Sequence, residues 1–368
     1  MVDLERLLNV DEFRALAREV LSLEVYEYIS GGAADEVTVA DNVAAFSRYR
    51  LRPRVMVDVS AVQLNCQLLG EPVSLPLGLA PCGWQRFVHA DGELAAARAA
   101  GAAKVPLCLS TGSTCTLEEV ADAYHDAGGT VSWFQLYVNT NRDLVEHLLK
   151  RAAASGYRAV VVTADLPVGG YRERELRHEL ELRPGIEPAN FRAFARGRSP
   201  LEFMDGFTDP SLTWSDLAWI HEASGLPVVV KGLLTAEDAL LAVEHGVAGI
   251  VVSNHGGRQL DRSPASIDVL EEIVNAVDGS AEVYLDGGVR RGTDVLIALA
   301  LGARAVFVGR PYLWGLAVAG EAGVARVLEI LSEEISNALT LLGATSVDKV
   351  GRAHVTPAPP GEAISPGR

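Results

Sequence analysis

Eight short runs of apolar, largely branched residues recur along the chain, separated by longer stretches of mixed character. They are Leu75–Pro81, Val105–Ser110, Val131–Tyr137, Ala159–Asp165, Pro227–Gly232, Ala248–Asn254, Glu282–Gly288 and Ala305–Pro311. Hydrophobicity that is nearly continuous over a few residues is what a strand buried on both faces requires. Several intervening segments carry helical spacing with end signals. The segment from Thr235 to Gly246 opens on a capping threonine, puts Glu237 and Asp238 in its first turn and closes on glycine. Thr116 and Glu119 have the spacing of a capping box. Strand–helix alternation repeated eight times predicts an α/β chain closed as a (β/α)8 TIM barrel. A doubly wound open sheet competes with it, but that fold places a glycine-rich fingerprint after its first strand. No GxGxxG follows Leu75–Pro81, and polar residues recur after almost every run.

Two pieces lie outside the repeat. Residues 1–74 read as an N-terminal helical extension, in which Val10–Ile29 supplies one or two packing helices ending at Gly31 and Gly32. Residues 166–226 form a long, charged insertion after the fourth strand, with a helix near Ser215–Ala223. An interval of that length without clear periodicity is expected to be a functional lid. Residues 1–355 are therefore read as one domain, and 356–368 as a disordered tail.

Composition narrows the partners. With 368 residues, 49% of them hydrophobic, the chain can bury a large core. A formal net charge of −16 disfavours nucleic acid and anionic membrane surfaces. Cys66, Cys82, Cys108 and Cys115 form no CxxC pair and match no zinc spacing, so they read as reduced thiols of a cytoplasmic protein. The start of the chain carries acids throughout and no apolar core of a signal peptide. The final residues carry no peroxisomal or prenylation signal. No HExxH or acidic cluster suggests a metal.

In a barrel enzyme the reacting groups sit at strand C-termini. The most informative such end is AGIVVSNHGGRQLD, Ala248–Asp261, which presents His255 and Arg258 three residues apart. An imidazole exchanges protons near neutrality, and a guanidinium grips a carboxylate with paired hydrogen bonds. The ends Asp286-Gly-Gly-Val-Arg290 and Val308-Gly-Arg310 combine unobstructed backbone N–H groups with two guanidiniums, where barrels commonly bind phosphate. His89 reads as ordering a loop, and His125, His147, His221 and His245 as helical surface or packing residues. His178 falls in the insertion and is left open.

With FQLY, LPVVVKG, LDGGVRRGTDV and VFVGRP, the SNHGGRQLD stretch resembles the FMN-dependent 2-hydroxy acid oxidase/dehydrogenase family. That family contains glycolate oxidase, lactate oxidase, mandelate dehydrogenase and hydroxymandelate oxidase, and the resemblance spans about residues 10–355. It implies FMN as cofactor and His255 as the active-site base, with Asp165 hydrogen-bonding its imidazole. Arg258 and Arg172 would bind the substrate carboxylate, assisted by Tyr28, and Tyr137 would hydrogen-bond the substrate oxygen. Lys231 would lie near the N1–O2 edge of the flavin. Ser110, Gln135, Thr163 and the backbone at Pro81, Cys82 and Gly83 would contact its ring. Ser253 would complete the cofactor set, with Asp286, Gly288, Arg290, Gly309 and Arg310 holding the ribityl and phosphate. Relatives are often tetramers or octamers, so a homo-oligomer is expected.

The chain departs from the family in places. Many relatives that use short aliphatic acids carry a bulky aromatic where this chain has Gly112, and several carry a larger lid side chain at Gly169. Both changes predict a wider pocket, suited to mandelate or 4-hydroxymandelate, unless Trp84 or Phe207 fills the space. Relatives commonly have paired arginines where this chain reads Tyr171-Arg172. No haem domain precedes the barrel, so electrons are expected to pass to dioxygen, giving a 2-oxo acid and hydrogen peroxide. Lactate or glycolate as substrate and a non-oxygen acceptor are alternatives. A non-redox aldolase or isomerase acting on a phosphorylated substrate would use Lys231 and the phosphate ends without needing His255, Arg258 and Arg172 together. A flavin-binding protein without turnover is a third reading.

Overall fold

The computed structural model describes residues 2–178, 186–192 and 208–359. Each of the eight apolar runs contributes one strand of a closed parallel barrel. These are β1 (Leu77–Leu79), β2 (Leu107–Ser110), β3 (Ser132–Leu136), β4 (Ala159–Thr163), β5 (Val228–Leu233), β6 (Gly249–Val252), β7 (Glu282–Asp286) and β8 (Ala305–Val308). Neighbours in the chain are neighbours in the barrel, and β8 closes on β1 through Val306, Phe307 and Val308 paired with Leu77, Gly78 and Leu79. Almost every strand residue is buried, as continuous apolar runs demand. The rings of Trp133, Tyr284 and Phe307 meet with centroids 5.2 to 5.9 Å apart and fill the barrel interior. The opposite mouth is covered by a hairpin, Cys66–Leu68 with Glu71–Val73, whose Leu69 N–H donates to Glu282 on β7. Ligands are thereby restricted to the end where the strands terminate.

The predicted caps form. Thr116 and Glu119 complete both halves of the capping box on helix Leu117–Asp126. The Thr235 hydroxyl accepts from the Asp238 N–H at 3.2 Å at the start of Ala236–Glu244. In the extension, helices Val10–Val20 and Leu23–Ser30 end at Gly31, and a third, Val37–Ala44, follows. The first packs on the long helix Arg310–Leu342 through the buried Phe13 and Ala17. That long helix kinks at Gly320, against which the ring of His89 is seated, and the His89 Nδ1 accepts from the Asp91 N–H at 3.2 Å.

Within the insertion, Glu173–Arg177 and Asp216–Ser224 are helical and Ala189–Phe191 is a single tight turn. Residues 179–185 and 193–207, including Phe207, lie outside the described residues, as do residues 360–368 of the expected tail. Positions 356 and 357, assigned above to the tail, belong to a strand. Val355–Pro357 pairs antiparallel with Tyr49–Leu51, and this ordering comes from backbone bonds that a proline-rich sequence does not advertise.

Candidate active site

A cavity of about 750 Å3 opens at the C-terminal ends of the strands, within the size range of cofactor and ligand sites. Its wall brings together Tyr28, Pro81, Cys82, Gly83, Ser110, Gly112, Tyr137, Arg172, Lys231, His255, Arg258, Asp286, Gly288, Arg290, Gly309 and Arg310 from among the expected residues. Asp165, Gln135, Thr163 and Ser253 stand behind that wall. Gln135 accepts from the Ser110 hydroxyl at 3.1 Å and donates to the Thr163 hydroxyl at 2.9 Å, which fixes the orientation of its amide.

His255 follows β6 in the left-handed region, with φ 59°, a conformation uncommon outside glycine and concentrated at functional sites. Its N–H donates to the Ser253 hydroxyl at 3.0 Å. The ring lies between two partners: Nδ1 is 3.0 Å from Asp165 Oδ1 and Nε2 is 3.4 Å from the Tyr137 hydroxyl. Burial lowers the pKa of His255. Asp165 raises it and Lys231 lowers it again, so the ring sits below the ordinary imidazole value and is neutral at pH 7. Burial also opposes ionisation of Asp165, but His255 and Lys231 outweigh it and keep the carboxyl below its usual range. Asp165 reaches this position because β5 bulges between Lys231 and Leu233. Gly232 there has φ 110°, and a Cβ on it would fall 2.6 Å from that of Asp165.

Lys231 is locked under the cavity. Its Nζ donates to Ser253 Oγ at 2.9 Å and lies 3.1 Å from Asp286 Oδ2, and Ser253 in turn donates to Asp286 Oδ1 at 2.5 Å. Burial would neutralise the amine, but Asp286 and Asp165 prevail and hold it as ammonium above its ordinary pKa. An amine so held is a poor nucleophile, which removes the Schiff-base chemistry that a non-redox aldolase would need.

Across the cavity, Arg258 lies over the Tyr28 ring, 5.2 Å from its centroid, and donates to the Tyr28 carbonyl at 2.7 Å. Arg172 donates to the Arg258 carbonyl at 2.9 Å and to Gln259 Oε1 at 3.0 Å. Its neighbour Tyr171 points away, 69% exposed. Burial raises the Tyr28 phenol above its ordinary value and pushes Tyr137 up to about 12, so both hydroxyls keep their protons.

A model of the FMN-dependent dehydrogenase family matches residues 17–357. The chain belongs to that family. It is 47% identical over 351 residues to the L-lactate oxidase of Nostoc sp., covering 93% of this chain and 96% of that protein. It is 44% identical to 2-hydroxyacid oxidase 1 of Homo sapiens, covering 96% and 97% respectively. Among solved structures, a mandelate oxidase superposes with a TM-score of 0.88 at 40% identity, covering 96% of this chain and 98% of that one. Another, with benzoyl-formic acid, gives 0.87 at 40% identity over 96% and 98%. Membership makes this an FMN-dependent oxidoreductase and excludes the non-redox reading.

Two buried guanidiniums fit the family's cofactor. Arg310 donates to three carbonyls, those of Ile29, Gly256 and Gly31, at 2.8 to 3.0 Å. Arg290 donates to the Val289 carbonyl and lies over Trp314. Among the described residues neither forms an ion pair with a carboxylate. Burial, with repulsion from Arg258 and Arg290, pushes Arg310 down to about 9, and burial takes Arg290 down to about 10. Cations held this way lack an anion, and a phosphate would supply it. Gly288 sits beside them for a reason the sequence did not disclose. A Cβ there would come 1.9 Å from the Asn42 carbonyl, so helix Val37–Ala44 can settle on this turn only because the side chain is missing. Asn42 and Asn254 then exchange paired amide bonds at 2.8 Å.

Of the wall residues, Trp84 was expected only as a filler of the space beside Gly112, and Glu175 was not expected at all. Trp84 lines the cavity with φ 59°, and its N–H donates to the Gly112 carbonyl at 3.0 Å. Glu175 lines it from the helix Glu173–Arg177. Its spacing of three from Arg172 was the available signal, obscured by the surrounding run of charges.

Proposed function

We propose that this chain oxidises (S)-2-hydroxy acids to 2-oxo acids, with an aromatic acid of mandelate size as substrate and dioxygen as the terminal acceptor. The observation that carries the reading is a neutral imidazole backed by a carboxylate, opening on the same cavity as Arg258 and Arg172. Two anchors are needed to aim an α-hydrogen. The guanidiniums grip the carboxylate, and the protonated Tyr137 hydroxyl, beside His255 Nε2, donates to the substrate oxygen. His255 Nε2 takes the substrate proton, and Asp165 at Nδ1 stabilises the imidazolium that results. Bound FMN supplies the two-electron acceptor. Lys231 places a fixed positive charge under the cavity floor, where it would offset negative charge on a reduced flavin. Arg290, Arg310 and the backbone around Gly288 and Gly309 would hold the phosphate, and the Pro81–Gly83 strand end and Ser110 would contact the ring.

The aromatic preference draws support from open space. Gly112 contributes no side chain, and a Cβ at Gly169 would have nothing within 4 Å. Trp84 lines the cavity beside Gly112 and leaves it open. Similarity to mandelate oxidases in structure supports the same reading, while similarity to L-lactate oxidase supports the smaller substrate. Dioxygen as acceptor, with hydrogen peroxide as product, draws support from the many relatives named oxidases. Four unpaired thiols fit a reducing cytoplasm, and no helix among the described residues is long and apolar enough to cross a membrane. Assembly as a homo-oligomer completes the reading, and light scattering of the pure protein tests it.

The deciding experiment mixes the yellow holoenzyme anaerobically with mandelate, 4-hydroxymandelate, lactate and glycolate, then readmits air. Fast bleaching by the aromatic acids, followed by reoxidation and peroxide, is expected. Preferential bleaching by glycolate would overturn the aromatic assignment, and flavin that stays oxidised with every acid would favour binding without turnover. Gly112→Trp should lower kcat/KM for mandelate by at least tenfold while sparing lactate.

A further inference from the structure

The carboxylate anchor already contains a carboxylate. Glu175 Oε1 lies 2.7 Å from Arg258 NH2, and Oε2 lies 3.4 Å from Arg172 NH1. All three side chains are largely buried and line the cavity. Glu175 is not a stray surface acid that has swung inward. The next residue back on its helix, Arg174, is bonded to Glu27 and Glu36, which docks the helix on the N-terminal extension beside Gly31. Both phenols facing the anchor are neutral, because burial raises Tyr28 and Tyr137. The nearby carboxylate of Asp165 is engaged with His255. The three side chains in contact at the anchor are therefore two guanidiniums and one carboxylate, a net charge of plus one among themselves, with the ionised Asp165 turned toward His255 rather than toward them.

We propose that Glu175 sets the charge of the acid this enzyme accepts, restricting the anchor to singly charged 2-hydroxy acids and rejecting those with a second carboxylate. The inference rests on the 2-hydroxy acid reading above and deepens it. A monoanion balances the anchor and can share the two guanidiniums with Glu175. A dianion brings one charge too many into a buried site where like charges repel strongly and water screens little. Glu175 also holds Arg258 charged, since its carboxylate outweighs the burial that would otherwise lower that guanidinium. It is a specificity residue acting through the arginines, with no part in proton transfer.

The test uses two probes that share a ring and are not oxidised, phenylacetate with one carboxylate and phenylmalonate with two. Each is titrated into the oxidised holoenzyme at pH 8 and read from the change in flavin absorbance. Wild type should bind phenylacetate at least tenfold more tightly than phenylmalonate. Glu175→Gln should move the ratio of dissociation constants by tenfold or more toward phenylmalonate, while Glu175→Asp, which keeps the charge, stays within threefold of wild type. A ratio unmoved in Glu175→Gln, or equal loss of both probes, overturns the proposal and leaves Glu175 as a prop for Arg258. Should that variant fail to retain flavin, wild-type binding of phenylmalonate as tight as phenylacetate overturns it equally. Neither probe depends on turnover. Failure of the 2-hydroxy acid reading would show as flavin that no hydroxy acid bleaches, and failure of this one as an indifferent probe ratio.

Discussion

An imidazole serves as a base only while it is uncharged, and the surroundings of His255 keep it so. Burial, opposed by Asp165 and reinforced by Lys231, sets its pKa below the ordinary value of about 6.5. The group must be deprotonated to act, so kcat/KM should rise with pH through a limb below that value and be flat above neutrality. A pH–rate profile that rises above pH 7 would contradict this. Asp165→Asn removes the contribution that raises the pKa. Its limb should move lower still, while kcat falls by about 10²–10⁴ because the imidazolium loses its stabilising charge. His255→Ala should keep its flavin and lose reduction by substrate by a similar factor of about 10²–10⁴, measured by stopped-flow absorbance.

Elements place these groups, and a single backbone irregularity decides much of the placement. The bulge at Gly232 lets Asp165 lie beside β5 with the Ala164 N–H bonded to the Lys231 carbonyl at 2.8 Å. Gly232→Ala would combine a strained φ with a clash against Asp165, costing about 1–3 kcal/mol of stability in urea denaturation and a larger share of kcat. The barrel strands were readable because burial on both faces leaves an uninterrupted apolar run. The helices at Thr116 and Thr235 were readable because their caps are chemical. Helix Glu173–Arg177 was not, since its one large apolar residue, Leu176, is exposed and its turn is held by ion pairs to distant Glu27 and Glu36. The three-residue strands Tyr49–Leu51 and Val355–Pro357 were equally silent, being too short to show a period. His255, Arg258 and the arginines that follow β7 and β8 stood out because each comes within a few residues of the end of an apolar run, where a barrel gathers its reacting groups. Trp84 and Glu175 owe their place to tertiary contacts.

At the scale of the whole molecule, the barrel and its extension share the proposed phosphate site. Arg310 begins the helix after β8 yet is bonded to carbonyls of Ile29 and Gly31, and Asn42 covers Gly288. Apoprotein should therefore be stabilised by inorganic phosphate alone, with about 2.7 kcal/mol gained at a hundredfold excess over Kd. Arg310→Ala should abolish that gain and weaken FMN binding by at least tenfold, and a thermal shift series with and without phosphate checks both. Equal stabilisation of wild type and variant would place the anion elsewhere.

Because three backbone oxygens from the extension and the His255 turn converge on that one guanidinium, a phosphate held by it as proposed would lie against the chain's own beginning. With FMN held as proposed, its departure would require those first helices to move. Residence time would then be set by how often the arm lets go, so that a holoenzyme of modest equilibrium affinity would survive long dilution without fading.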